Sequence, residues 1–139
     1  MAMGSKALDP TTPYVVYEFS VSGRIYYVGI GQKDAMRDTD RWNYISKQLD
    51  RLKREGTLQP AKRRGITNPS GAAIRAMIER GMAPHDIHHF WEGLGRKEAL
   101  RQEKQRIRQL LSEGCVLANV DGNTRRPTTE EVLRYLRVE

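Results

Sequence analysis

Two runs rich in Val, Ile, Tyr and Phe, Tyr14–Ser20 and Arg24–Ile30, flank the dipeptide Ser22-Gly23, and this pattern commits the chain to an antiparallel hairpin near its start. The second run ends in Gly29-Ile-Gly31, where the backbone is free to take angles closed to other residues and a ligand is free to come close. A polar stretch follows, and Arg41-Trp42 then opens an expected helix. Strand, turn, strand, glycines and an arginine-bearing helix within about thirty residues is the order that suits a phosphate site.

The rest of the chain reads as helices punctuated by one further strand. A first helix is expected over Asp40–Arg54, with Asp38 to Asp40 as caps and Gly56 as its stop; Trp42, Ile45, Leu49 and Leu52 form its apolar face. Lys47, Arg51 and Arg54 point away from that face, and Trp42 reads as core rather than as a stacking platform. A basic link, Thr57–Asn68, contains Lys62, Arg63 and Arg64. From Arg41 to Arg64 eight Lys and Arg face two acids, denser positive charge than in the rest of the chain. A second helix is expected from Pro69 to Arg80 with Ala73, Ile74, Met77 and Ile78 inward. A third strand follows at Asp86–Trp91, then a third helix at Arg96–Leu111, a short strand or extended run at Cys115–Val120, and a turn at Asp121–Asn123. A final helix, capped at Thr128 and ending near Arg137, turns Val132, Leu133 and Leu136 inward. The fold class is α/β: a small, mainly antiparallel three-stranded sheet flanked by helices. Residues 1–12 read as a flexible lead-in whose opening Met-Ala-Met-Gly-Ser has the look of a tag remnant, and residues 13–139 as one domain.

The third helix carries the sharpest conflict. At about 100° per residue, Ala99, Leu100, Ile107, Leu110 and Leu111 share one stripe; Glu103 falls inside it and Glu98 opposite. A carboxylate on the core side needs a partner, because burying it alone costs several kcal/mol. An arginine, a metal ion or an open cleft would each resolve the conflict.

Val15 to Tyr17 (VVY) and Tyr27 to Gly29 (YVG) resemble the two half-motifs of the GIY-YIG nuclease superfamily, with Val15 standing where the family usually has glycine. Lys97-Glu-Ala-Leu-Arg-Gln-Glu-Lys-Gln-Arg-Ile107 resembles the family's glutamate helix with Glu103 in the acidic place, and Leu117-Ala-Asn119 followed by Asp121-Gly122 resembles its asparagine segment. YVGIG and NVDG are similar to the branch holding the animal ankyrin-repeat and LEM-domain nucleases. The likeness spans residues 14 to 122. It implies a DNA endonuclease that needs Mg²⁺ or Mn²⁺. Of Tyr17 and Tyr27, one would activate water and the other orient it or contact phosphate. The clamping arginine would be Arg41 or, at the family's commoner spacing, Arg37. Glu103 would ligate the metal, and Asn119 would brace the site by hydrogen bonding. Guanidinium matches phosphate bidentately and stays ionised, and a lone carboxylate suits an oxygen-seeking ion that keeps most of its waters. Strand alternation places Tyr26 and Tyr27 on opposite faces, so at most one of them shares a cleft with Tyr17.

Charge and composition agree with a polyanionic partner. The chain has 24 Lys and Arg against 17 Asp and Glu, a net charge of +7; a surplus of this size attracts nucleic acid in a salt-dependent way. Gly29, Gly31, Arg37, Lys47, Arg51, Lys62, Arg63 and Arg64 are the expected DNA contacts. Cys115 is the one cysteine, so an intrachain disulfide is excluded, and its apolar surroundings mark a buried small residue rather than a nucleophile. No secretory or membrane-spanning run is present, and the expected location is intracellular, cytoplasmic or nuclear. His88 and His89 are adjacent in a strand and so diverge, which with His85 and no CxxC or HExxH argues against zinc. The competing class is a nucleic-acid-binding module that kept the scaffold without the chemistry; a protein-interaction domain accounts for the charge least well.

Overall fold

The hairpin forms as its composition demands. In the computed structural model, which describes residues 13–32, 38–56, 68–120 and 123–138, β1 is Tyr14–Val21 and β2 is Arg24–Gln32. Both turn residues have positive φ, +50° at Ser22 and +80° at Gly23, the type I′ geometry whose twist matches the flanking strands. β3, Asp86–Leu94, pairs with the other side of β1, so the sheet is antiparallel throughout with order β2-β1-β3. It runs three residues beyond the expected end, taking in Gly93. β2 is therefore an edge strand.

The helices fall on both faces of this sheet. α1 (Asp38–Glu55) begins two residues earlier than its caps implied and ends at Gly56, whose φ of +75° lets its N–H reach Leu52 O. α2 (Pro69–Glu79) starts on an Asn68 cap with proline in its first turn. With α4 (Thr129–Tyr135), which opens on a full capping box between Thr128 and Glu131, these two cover one face around Phe19, Tyr26, Trp42, Ile45, Ile74, Met77 and Leu133. Trp42 is core, as its place in the apolar stripe required. α3 (Arg96–Ser112) covers the opposite face, packing Ala99, Ile107, Leu110 and Leu111 on Val16 and Val28. Cys115 is half-buried against that second layer. Among the described residues no helix is long and apolar enough to cross a membrane.

One expectation of strand geometry is corrected. Register passes from Phe19↔Tyr27 to Ser20↔Ile25, which leaves Tyr26 as an extra residue in a β-bulge. Strict alternation therefore fails there. Tyr26 and Tyr27 both pack on Phe19 in the same layer, with ring centroids 6.2 and 5.3 Å from it. Their fates still differ. Tyr26 is fully buried with its Oη 2.5 Å from His85 Nδ1, and burial pushes its phenol well above the usual tyrosine range, Arg41's charge offsetting this in part.

The second layer holds a buried ion pair. Glu18, 2 % exposed, is met by Arg106 of α3, whose Nε lies 2.5 Å from Glu18 Oε2. The hydrogen bond to Glu18 is the main reason the Arg106 pKa rises.

Candidate active site

The run Cys115–Val120 forms no strand of its own, yet it closes the open edge of β2. Ala118 N donates to Tyr26 O at 2.7 Å, which uses the carbonyl of the bulged residue. One position on, the Asn119 side chain takes over: its Oδ1 accepts from Val28 N at 3.0 Å and its Nδ2 donates to Val28 O at 2.6 Å. A single primary amide thus imitates one residue of a neighbouring strand, satisfying both backbone groups that an edge leaves bare. Asn123 holds the run in shape, its Nδ2 donating to Leu117 O and Asn119 O, each at 2.8 Å.

Because the closing segment passes around the edge, it brings both faces of the sheet to one place. A cavity of about 180 Å³ opens there, lined by Tyr27, Arg41, Asn68, Pro69, Ser70, Glu103, Ala118, Asn119 and Val120. Tyr27 comes from β2, Arg41 from the start of α1, Asn68 to Ser70 from the start of α2, and Glu103 from the middle of α3. Glu103 is half-buried and lines this cavity, so the acid on the apolar stripe reaches an open cleft and not a sealed interior. Glu98, on the other side of the helix, bonds Arg101 and Gln102, and those hydrogen bonds hold its carboxyl below the usual range.

Arg41 is fixed from two sides. Its Nη2 donates to Ser70 Oγ at 2.7 Å and to Asn68 Oδ1 at 3.2 Å. Its guanidinium carbon lies 5.8 Å from the Tyr27 ring centroid, in cation–π range. Asn68 Oδ1 also caps α2 by accepting from Gly71 N at 2.7 Å, and the positive end of that helix faces the cavity.

The remaining expected residues separate from this group. Tyr17 does not line the cavity; its ring lies over Gly29, directly opposite in the ladder, with its centroid 6.4 Å from those of Tyr27 and His89. A Cβ at Gly29 would come within 2.6 Å of Tyr17 Cζ and Oη, so Gly29 makes room for an aromatic ring of the same chain. Gly31 sits within the ladder opposite Val15. Lys47 is exposed on the outer face of α1, and Arg51 there lies 3.6 Å from Glu55. Arg37, Lys62, Arg63 and Arg64 fall outside the described residues, as do the lead-in 1–12 and most of the 57–68 link.

Sequence reasoning passed over three features. Glu18 shares the inward side of β1 with Val16, so the signal that singled out Glu103, an acid on an apolar stripe, was present there too. The Tyr26–His85 contact depended on the bulge. Asn68-Pro-Ser70 is legible as a helix start, but nothing local ties it to Arg41, which is 29 residues from Ser70.

Comparison with protein-family models, curated proteins and solved structures returned no match.

Proposed function

We propose that this chain is a metal-dependent DNA endonuclease of the GIY-YIG kind. The observation that carries the proposal is the meeting of Tyr27, Arg41, Glu103 and Asn119, drawn from separate elements, around one cavity. The residue types match the roles that phosphodiester hydrolysis requires: a hydroxyl to handle water, a guanidinium for phosphate, and a carboxylate for a cation.

The donor chemistry fits a hard divalent ion. Among the described residues Glu103 is the one carboxylate lining the cavity, and no group of three His, Cys, Asp or Glu side chains suited to a metal occurs. Mg²⁺ or Mn²⁺ held by one carboxylate and its own waters suits such a site, whereas zinc asks for several nitrogen or sulfur ligands. Bound there, the ion would supply charge neutralisation at the phosphate and leaving oxygen. Asn119 is no ligand in this scheme, since both ends of its amide are spent on Val28.

Within the cavity Tyr27 would align the attacking water, and Arg41 would hold the phosphate and the charge that builds on it. Of the two tyrosines Tyr27 takes the water-handling role, because its side chain lines the cavity while Tyr17 supports it from behind. Arg41 takes the clamping role because it too lines the cavity, and Arg37 lies outside the described residues. The exposed basic side chains of α1, with Lys62 to Arg64, would track the DNA backbone.

Supercoiled plasmid incubated with Mg²⁺ or Mn²⁺ tests this reading. Wild type should nick it, chelation should stop cutting, and Glu103→Gln should bind DNA with the same salt dependence yet leave it intact. Salt-dependent binding with no cutting by wild type under either metal would establish the binding module instead. No binding even at low salt would remove nucleic acid altogether.

A further inference from the structure

The geometry points to Ser70 and Asn68 as positioning residues that set the rotation of the Arg41 guanidinium and so choose which of its edges meets a phosphate diester. That the diester belongs to DNA rests on the nuclease reading; that Arg41 is oriented from α2 does not.

Donor counting supports the assignment. A guanidinium carries five N–H groups: two on each terminal nitrogen and one on Nε. Arg41 Nη2 has two acceptors, Ser70 Oγ at 2.7 Å and Asn68 Oδ1 at 3.2 Å, enough to use both its hydrogens. Among the described residues Nη1 and Nε meet no further acceptor and are left for a ligand. Without these acceptors the Cγ–Cδ and Cδ–Nε torsions are free to swing the planar group so that other edges face a ligand, and the exchange of its two NH2 groups about Nε–Cζ is no longer slowed by hydrogen bonds at Nη2. Ser70 is 4 % exposed, so its hydroxyl is held by packing and is not a surface contact formed by chance. The hydroxyl has a defined polarity. It accepts from Arg41 and donates to Asn68 Oδ1 at 3.2 Å. Asn68 Oδ1 is in turn fixed by the Gly71 amide. The start of α2 and the clamp on α1 are thereby one rigid unit. A displacement of about 1 Å at a reacting centre costs up to about 100-fold in rate, so this unit has leverage on catalysis without touching the substrate.

The test has two arms on the full chain. In the first, ¹⁵N NMR of the arginine side chains reads rotation of the Arg41 guanidinium and its response to dimethyl phosphate, a diester with no base or sugar. Wild type should rotate slowly; Ser70→Ala should rotate at least about tenfold faster, and Ser70→Thr should restore the slow rate. Asn68→Ser, which retains a capping hydroxyl but shortens the acceptor, should also speed rotation. In the second arm, Ser70→Ala should lower kcat for DNA cleavage by about 10- to 100-fold with KM within about twofold, and Ser70→Thr should recover most of it. Thermal unfolding confirms that each variant is folded, and alanine suits this helical position. Equal rotation in wild type and Ser70→Ala overturns the proposal, as does equal kcat. Absence of cleavage by wild type counts against the nuclease reading alone, and the rotation arm then decides on Ser70 and Asn68 by itself.

Discussion

Replacing Asn119 by alanine removes one amide and strands two backbone groups. Val28 N and Val28 O, which Asn119 meets at 3.0 and 2.6 Å, lie at a buried position, Val28 being 0 % and Asn119 6 % exposed. An unsatisfied buried polar group costs about 1–3 kcal/mol. Two of them at a strand edge, where water partly replaces the amide, set the loss at about 3 kcal/mol. For a chain of this length that lowers Tm by about 10 °C. Asn119→Asp sharpens the test, since it keeps an acceptor for Val28 N but sets a carboxylate against Val28 O. Only the protonated acid restores the lost donor, so its folded pKa is raised above the ordinary aspartate value of about 3.9. The sign follows. The stabilising protonated form is fully present below the unfolded pKa and is lost as pH rises through the folded one. Asn119→Asp should therefore come nearest to wild type in acid and fall behind toward neutrality, while the Asn119→Ala deficit stays constant. Circular dichroism melts from pH 4 to 8, with hydrogen exchange at the Val28 amide, read both effects. An Asn119→Ala variant that melts with wild type and protects Val28 equally well would refute the clamp, as would an Asn119→Asp deficit that ignores pH.

Gly29→Ala should destabilise by about 1–2 kcal/mol, because its Cβ would lie 2.6 Å from Tyr17 Cζ and displace that ring from its neighbours; in a Tyr17→Ala background the cost should vanish, which a urea-unfolding double-mutant cycle measures. Arg106→Ala leaves the Glu18 carboxylate buried without its guanidinium and should cost about 3–5 kcal/mol in guanidinium chloride unfolding, whereas a Glu18→Leu, Arg106→Leu pair should cost far less. Glu131 is held below the usual carboxylate range by the Thr128 backbone and side chain, so its contribution to capping α4 is present above about pH 4.3 and lost as pH falls through its lowered folded value. The Tm advantage of wild type over Glu131→Gln should accordingly be present at pH 6 and close in strong acid.

The amino acids by themselves determined whatever depends on near neighbours. Ser22-Gly23 sets the hairpin because its turn needs positive φ, Thr128 and Glu131 set the start of α4 by capping each other, and the three- and four-residue spacing of Trp42, Ile45 and Leu49 sets the buried face of α1. Glu103 stood out on the same ground, as an acid out of place in an apolar stripe. Tertiary structure alone decided what these elements bring together. The bulge at Tyr26 put two adjacent tyrosines in one layer, the run to Asn119 reached Val28 across 91 residues, and Ser70 met an arginine on another helix. Each of these follows from how the layers pack and which strand is left with an open edge. Backbone propensity and hydrophobic period act over a few residues and carry no record of such long-range meetings.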